Sequence, residues 1–369
     1  MPWILQFCHG YEAPFLDCAR QYASLFQGTN WQVCTVYLTG KPDEAVRTGS
    51  ASDEVLFLGY DSRAIRGLKL SAIRDLKRIA KSRDFHLCLA HRFKPAYIAM
   101  LGTDLPVIAI HHAFGDYARM TRKLFVRWYQ SRLSLLGVSN AVRDDLRASL
   151  AFLPNERIQT LYNRLDVEAT QSALLSRAEA RSLLGLPLEA WIVGNVGRLH
   201  PDKDQATLLR AFALAHPRLP AGSLLAIMGG GRLEAELKAL AENLGIAGAV
   251  RFLGQVPEGR RYFSAFDLFA LTSDREPFGM VLLEAMAAEV AVLCADCGGG
   301  REVVAEADDL FSFADAAALA EKMTVRAAES ADERTRRTAK GLERLHTEFS
   351  DAAARRNFWQ LPFAPSAEV

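Results

Sequence analysis

Short apolar runs separated by amphipathic stretches recur from end to end. The first series is WILQFC (3–8), WQVCTVYL (31–38), EVLFL (54–58), HLCLA (86–90) and PVIAI (106–110); the second is WIVGNVG (191–197), SLLAIMG (223–229), VRFLG (250–254), LFALT (268–272) and AVLCA (291–295). Strands buried on both faces read this way, and their alternation with helices predicts parallel sheets covered on both sides. Two series imply an α/β chain with two doubly wound parallel-sheet domains. The polar region 162–189 between them places a linker near Asp166 to Gln171. The expected domains are 1–168 and 169–350, with a C-terminal segment 351–369 crossing back to the first. Beyond Ala331 the pattern turns helical and charged, and Phe358-Trp359-Gln360-Leu361-Pro362-Phe363 supplies aromatics that should dock. An Ala-rich helix is expected around 314–320, and there is no internal repeat of fixed period.

Composition narrows the function classes. With 369 residues, half of them hydrophobic, the chain can bury a large core and makes two domains more naturally than one. A net charge of +1 provides no global field to recruit nucleic acid. The start, MPWILQFCHGYEAPFLD, lacks a basic leader and reads as a buried first strand, not a signal peptide. No stretch reaches the length of an apolar membrane span, so a soluble or peripheral protein is expected. Six scattered cysteines read as reduced core residues of a cytosolic protein, Cys294-x-x-Cys297 included, since no second pair or nearby histidine completes a metal site.

The richest stretch chemically is Glu276-Pro277-Phe278-Gly279-Met280-Val281-Leu282-Leu283-Glu284. On a helix, a spacing of eight sets two side chains within roughly 80° of one face and about 12 Å apart along the axis. One carboxylate then sits at a helix mouth and the other two turns deeper. Pro277 and Gly279 mark where a loop gives way to a helix, whose free first amides suit an anion or a sugar's oxygens. Read alone, the pair equally fits a surface helix with two solvated acids. Upstream, the strand WIVGNVG runs into Arg198 and Lys203, a guanidinium fork and an ammonium ahead of a helix, QATLLRAFALA, in the manner of a diphosphate site. Such cations on a strand-to-helix loop are individually more often ordinary surface, and the glycine fingerprint of dinucleotide binding is absent. Gly229-Gly230-Gly231 follows the next strand and reads as backbone packed tightly against a ligand, or as a flexible turn. Gln255 and Val256 end another strand, and Gly298-Gly299-Gly300-Arg301 a further one. All five features fall at strand-to-helix junctions, which share one edge of a parallel sheet.

The ordered set GRLHPDK, MGGGRLEAEL, VRFLGQV, DREPFGMVLLEAMA and GGGREVV resembles the retaining nucleotide-sugar glycosyltransferases of the GT-B fold, family four. More loosely, PVIAIHH, LLGVSNAVRDDL and TLYNRLDVE in the first half are similar to that family's corresponding segments. The resemblance implies two Rossmann-like domains facing across a cleft. It implies that Arg198 and Lys203 hold the donor diphosphate, that Glu284 binds the ribose hydroxyls, and that Glu276 meets the donor sugar. The amides of Phe278, Gly279 and Met280 would lie near sugar or phosphate, and Gln255 and Val256 would face the base. His112, of Ile110-His111-His112, would face the sugar from the other domain, so that Glu276, His112, Arg198 and Lys203 form the catalytic set. The family's N-terminal glycine-rich loop is matched only by Cys8-His9-Gly10-Tyr11, with one glycine where two often stand, so its contacts are not carried over.

Neither a metal nor a cofactor is expected, because two cations can neutralise the leaving diphosphate and this loop offers no Asp-x-Asp pair suited to a divalent ion. Retention is what the resemblance implies; His112 as a base would serve inversion. Two basic stretches then bear on the acceptor. Residues 61–84 carry a local charge of +5, and from Tyr117 to Arg132 the cations Arg119, Arg122, Lys123, Arg127 and Arg132 alternate with apolar side chains including Trp128. Cations interleaved with aromatics suit a helix lying on an anionic bilayer, although a solvated helix covering the sheet has the same pattern. The expectation is a UDP-hexose transferase acting on a lipopolysaccharide-like glycolipid, cytoplasmic, peripheral on the inner face of the membrane, with no nucleic-acid partner. A sugar-nucleotide epimerase and a non-catalytic nucleotide-sugar-binding subunit are the competing readings.

Overall fold

All ten apolar runs become strands in the structure, a computed structural model. It describes residues 1–12, 14–61, 63–304 and 306–366; the last three residues of the expected terminal segment, 367–369, lie outside the described residues. The chain forms two units, residues 1–163 with 351–369, and residues 164–350.

The first unit holds strands β1 (Trp3–Cys8), β2 (Gln32–Thr39), β3 (Glu54–Tyr60), β4 (Phe85–His91), β5 (Val107–His111), β6 (Leu133–Gly137) and β7 (Ile158–Thr160). They pair in the order β3-β2-β1-β4-β5-β6-β7, every pair parallel. The second unit holds β8 (Ile192–Val196), β9 (Leu224–Met228), β10 (Val250–Gly254), β11 (Leu268–Leu271), β12 (Ala291–Ala295) and β13 (Leu310–Phe311). Their order is β10-β9-β8-β11-β12-β13, again all parallel. In each sheet the winding reverses beside its first strand, between β1 and β4 and between β8 and β11. At such a reversal the two adjacent loops leave the carboxyl edge in opposite directions and open a crevice.

Burial explains the strands. In the second unit, Val193, Leu225, Ile227, Leu268 and Leu293 from the sheet join Leu208, Leu209 and Phe212 of the helix Gln205–Ala215 in one apolar cluster. Each such side chain contributes roughly 1.5–3 kcal/mol when fully buried.

Two expectations are corrected here. Residues 166–171 are not a linker: Asp166 caps the helix Val167–Ala173, its carboxylate accepting from the Ala169 amide at 3.1 Å, as an aspartate ahead of a helix-forming run does. The first unit also ends earlier than 168, at Asn163, because the Leu165 amide donates to Phe349 O at 2.9 Å and ties this segment into the second unit. The helix Asp351–Trp359 belongs to the first unit, where the rings of Phe358 and Trp359 pack on Phe26 and Arg355 donates to Ser24 O at 2.7 Å. Among the described residues no helix is long and apolar enough to cross a membrane.

Candidate functional site

At the reversal of the second sheet, the β8 loop makes a single turn, Pro201–Lys203, before the helix Gln205–Ala215. Asp204 caps that helix in a left-handed conformation (φ 43°), accepting from Thr207 N and Thr207 Oγ1 at 3.3 and 2.6 Å. Lys203 is thereby presented at the mouth of the crevice, and its Nζ donates to Glu276 Oε2 at 2.6 Å. A side-chain and a backbone hydrogen bond tie the β8 and β11 loops together: Thr272 Oγ1 donates to Lys203 O at 2.9 Å, and Asp274 N to Asp202 O at 3.1 Å. Glu276 is buried, and the same carboxylate oxygen accepts from Ser273 Oγ at 3.1 Å. Arg198 is its opposite, with a side chain 71% exposed whose guanidinium reaches Asp202 at 3.4 Å. Burial pushes the Asp202 carboxyl up, but its hydrogen bond to His200 and the charges of Lys203, His200 and Arg198 outweigh this and hold it below the usual range. The loop therefore carries one cation committed to Glu276 and one reaching into solvent.

The glycines are needed by backbone packing against backbone. A Cβ at Gly229 (φ 135°) would collide with Gly197 O, and one at Gly231 with Leu199 O. The loops are hydrogen-bonded there, Gly197 N to Met228 O and Leu199 N to Gly230 O, each at 3.0 Å. This is neither a flexible turn nor room left only for a ligand. Beside it, Gln255 stands next to Gly230, where a Cβ would lie 3.4 Å from Gln255 Cγ, and Val256 follows half-buried. Gly298 and Gly299 press in the same way on the carbonyls of Glu276 and Pro277, and Gly299 N donates to Glu276 O at 2.7 Å. The acid is clamped from both sides.

The spacing argument for the two glutamates fails in part. The helix is Met280–Ala287, with Gly279 (φ 100°) as its N-cap, so Glu276 lies in the loop before it and only Glu284 is helical. Gly298 and Gly299 hold residues 276–278 in the loop. Glu284 is half-buried on the second turn, and the Phe278 ring turns away into the core against Phe349. Only the main chain of Phe278, Gly279 and Met280 stands at the helix start.

In the first unit, the adjacent histidines at the end of β5 separate by environment. His111 is fully buried, with Nδ1 2.6 Å from Asp116 Oδ2 and Nε2 3.1 Å from the Tyr117 hydroxyl, as a structural pin would be. His112 is half-buried, its Nε2 3.3 Å from His91 Nδ1 and its Nδ1 4.0 Å from Cys18 Sγ. Burial and the nearby charges of Arg92 and His111 pull its pKa down to about 3, so the ring is neutral.

Ser273, Asp202 and His91 were not singled out from the sequence. Ser273 sits three residues before Glu276, a spacing that could have drawn attention to it; Asp202 lay inside a motif noted for its cations. All six cysteines are free, and Cys297 Sγ donates to Ser273 O at 2.8 Å in a structural contact.

Two parallel-sheet domains of like strand order define the GT-B class. Residues 18–169 match the family model described as Glycosyltransferase Family 4, and residues 176–342 the model described as Glycosyl transferases group 1. The chain belongs to these glycosyltransferases. It is 38% identical over 159 residues to a D-inositol 3-phosphate glycosyltransferase of Corynebacterium urealyticum, covering 41% of this chain and 38% of that one. It is 32% identical over 183 residues to the lipopolysaccharide core biosynthesis glycosyltransferase LpsE of Rhizobium meliloti, covering 49% and 52%. The chain thus spans about half the length, or less, of these curated relatives. The fold is similar to that of Anabaena HepE in complex with UDP and glucose, with a TM-score of 0.76, 19% identity, and 96% and 97% of the two chains covered.

Proposed function

We propose that the chain transfers a hexose from a UDP-sugar to a hydroxyl of a membrane-associated glycolipid, such as a lipopolysaccharide core, with retention of configuration and without a metal ion. The observation carrying this reading is the meeting of Lys203 and Glu276 at the β8/β11 reversal, with the exposed Arg198 side chain paired to Asp202 on the same loop. The relatives named above and the UDP complex of the Anabaena protein support the donor and acceptor classes.

In this reading Arg198 and Lys203 neutralise the diphosphate as it departs. The bond from the anomeric carbon to the phosphate oxygen breaks and its electron pair goes to the diphosphate. The acceptor hydroxyl bonds to the same carbon from the same face, and its proton passes to the departing phosphate oxygen. Lys203 has three N–H donors, so it can keep Glu276 oriented toward the sugar while also meeting phosphate. Gln255 and Val256 flank the base, Gly229 keeps the adjoining loop close, and Glu284 meets the ribose. The amides of Gly279 and Met280 point to sugar or phosphate, and neutral His112 acts as a hydrogen-bond partner for the sugar.

Calorimetric titration of UDP, GDP, ADP and their hexose conjugates tests the donor half. One nucleotide should bind, and Arg198→Ala should weaken it about tenfold to a hundredfold through loss of a charge-assisted contact. Binding of none of them, or binding indifferent to Arg198, would overturn the assignment.

For the acceptor half, the helix Met120–Tyr129 contains no acid and exposes Met120, Leu124 and Trp128, the last at 83%. Arg119 and Arg127 are exposed beside them, and Lys123 is half-buried. Arg122 differs: it stacks on Phe93 at 4.4 Å and donates to Asp116 O at 2.5 Å, so part of its charge serves the fold. An apolar ridge flanked by cations suits an anionic bilayer. Leu124→Glu with Trp128→Ala should reduce co-sedimentation with phosphatidylglycerol vesicles at least about tenfold while sparing nucleotide binding. Unchanged co-sedimentation would remove this helix from the membrane reading.

A further inference from the structure

The first sheet has its own reversal, between β1 and β4, and what gathers there is cationic and incompletely partnered. β1 runs out into His9, and β4 ends on His91, followed by Arg92, which caps the helix Phe93–Gly102. His91 is only 4% exposed; its Nδ1 meets His112 Nε2 at 3.3 Å, while its Nε2 is buried with no hydrogen-bond partner. His9 Nδ1 is likewise buried and unpartnered. Buried polar atoms are normally satisfied, and two exceptions at a crevice are what a ligand would complete.

Arg92 adopts φ 76°, a left-handed conformation that non-glycine residues avoid and that concentrates at functional sites. Its guanidinium lies over the Phe15 ring at 4.3 Å, and among the described residues no carboxylate forms an ion pair with it or with Lys94 on the first helical turn. Arg92 acts electrostatically on His9, His91 and His112 alike, and Lys94 on His9, so these groups share one neighbourhood. Burial and Lys69 lower Lys94, and burial and Arg122 lower Lys69, a chain of mutually repelling cations. Lys69 itself lies over Tyr97 on the same helix at 4.9 Å.

We propose that Arg92, Lys94 and Lys69, with the unpartnered imidazole nitrogens of His9 and His91, bind a phosphate group carried by the acceptor. A guanidinium fork, two ammonium groups and neutral imidazoles match a dianion with three free oxygens better than a flat carboxylate. That the phosphate belongs to the acceptor rests on the function proposed above; that the site takes phosphate does not. The site lies wholly within the first unit. The phosphate could belong to a lipid headgroup or to a free phosphorylated sugar.

The test is a titration of the full chain with inorganic phosphate, followed by NMR of the histidine imidazoles, in wild type, Arg92→Gln, Lys94→Gln and Arg198→Ala. Expected is saturable perturbation of the His9 and His91 signals, weakened at least about tenfold in Arg92→Gln and in Lys94→Gln but not in Arg198→Ala. Lys94 is partly exposed on a helix surface, so its variant reports even where Arg92→Gln disturbs the fold. Competition by glucose 6-phosphate would support the site and assign it to free phosphorylated sugars. Competition only by phosphatidic acid vesicles would support it and assign it to headgroups. Phosphate binding lost only in Arg198→Ala, or insensitive to both first-unit variants, overturns the proposal. Failure of nucleotide binding in the calorimetry would strike the donor site and leave this titration unaffected.

Discussion

Lys203→Ala is expected to lower kcat/KM for the donor about a hundredfold to a thousandfold, the usual loss when one electrostatic stabiliser of a leaving group is removed. Glu276→Gln should lower kcat to a similar degree but with the opposite effect on the bare nucleotide. In the resting site Lys203 spends one donor on the Glu276 carboxylate at 2.6 Å. Neutralising Glu276 releases the full charge of Lys203 to phosphate, so the nucleoside diphosphate should bind as well as in wild type or a few-fold tighter. Lys203→Ala instead leaves a nearly buried carboxylate without its cation, and nucleotide affinity falls along with turnover. Steady-state kinetics beside calorimetry of both variants separates the two roles. Both variants retaining turnover within tenfold of wild type would show that the pair only holds two loops together.

The two sites are built by the same architectural device. Each sheet reverses its winding beside its first strand, and each reversal collects residues from two loops that are far apart in sequence. In the second unit the crevice is filled in advance: Lys203 has Glu276, and Glu276 has Ser273 and a glycine clamp. In the first unit the corresponding position keeps Arg92 and Lys94 outside any ion pair among the described residues, the nearby Asp116 being engaged by His111 and Arg122, and imidazole nitrogens of His9 and His91 without hydrogen-bond partners. A site with its charges already paired can orient a sugar with little rearrangement, whereas one with unpaired cations awaits an anion.

Much of this was legible in the chain because burial on both faces leaves continuous apolar runs, and all ten were strands. β7 and β13, three and two residues long, were not among those runs because they are edge strands with little apolar length to display. The glycine loops were visible as positions of close approach, but pattern alone could not distinguish a ligand from the carbonyl of Gly197 as the thing approached. Pro277 and Gly279 marked the start of the helix, but the eight-residue spacing was measured on a helix that Glu276 does not join, and the clamp that keeps Glu276 in the loop comes from glycines more than twenty residues later. His91 and Arg92 escaped attention for a related reason. Their significance lies in partners they lack, which only coordinates reveal.

The largest stability loss is expected away from both crevices, at Arg181. This side chain is fully buried, donating from Nε to Ala265 O at 2.9 Å, from Nη1 to Ala190 O at 2.8 Å, and from Nη2 to Asp267 Oδ2 at 2.8 Å. Asp267 Oδ2 also accepts from Ile192 N at 2.8 Å, so the pair joins the helix Arg177–Leu183 to the starts of β8 and β11. Removing one partner of a buried ion pair strands the other charge and costs about 3–5 kcal/mol. Arg181→Ala and Asp267→Asn should therefore each lower Tm by about 10 °C, given roughly 2–4 °C per kcal/mol for a unit of this size. The double variant should be much less destabilised than the sum, since the second substitution removes the charge the first exposed. Arg177 binds the other oxygen of Asp267 at 2.7 Å with a side chain 46% exposed, so Arg177→Ala should cost only about 0–1 kcal/mol. Calorimetric unfolding of the four variants decides the matter. An Arg181→Ala variant that melts within 2–3 °C of wild type, a shift of about 1 kcal/mol, would mean that Asp267 is satisfied by Arg177 and the Ile192 amide alone.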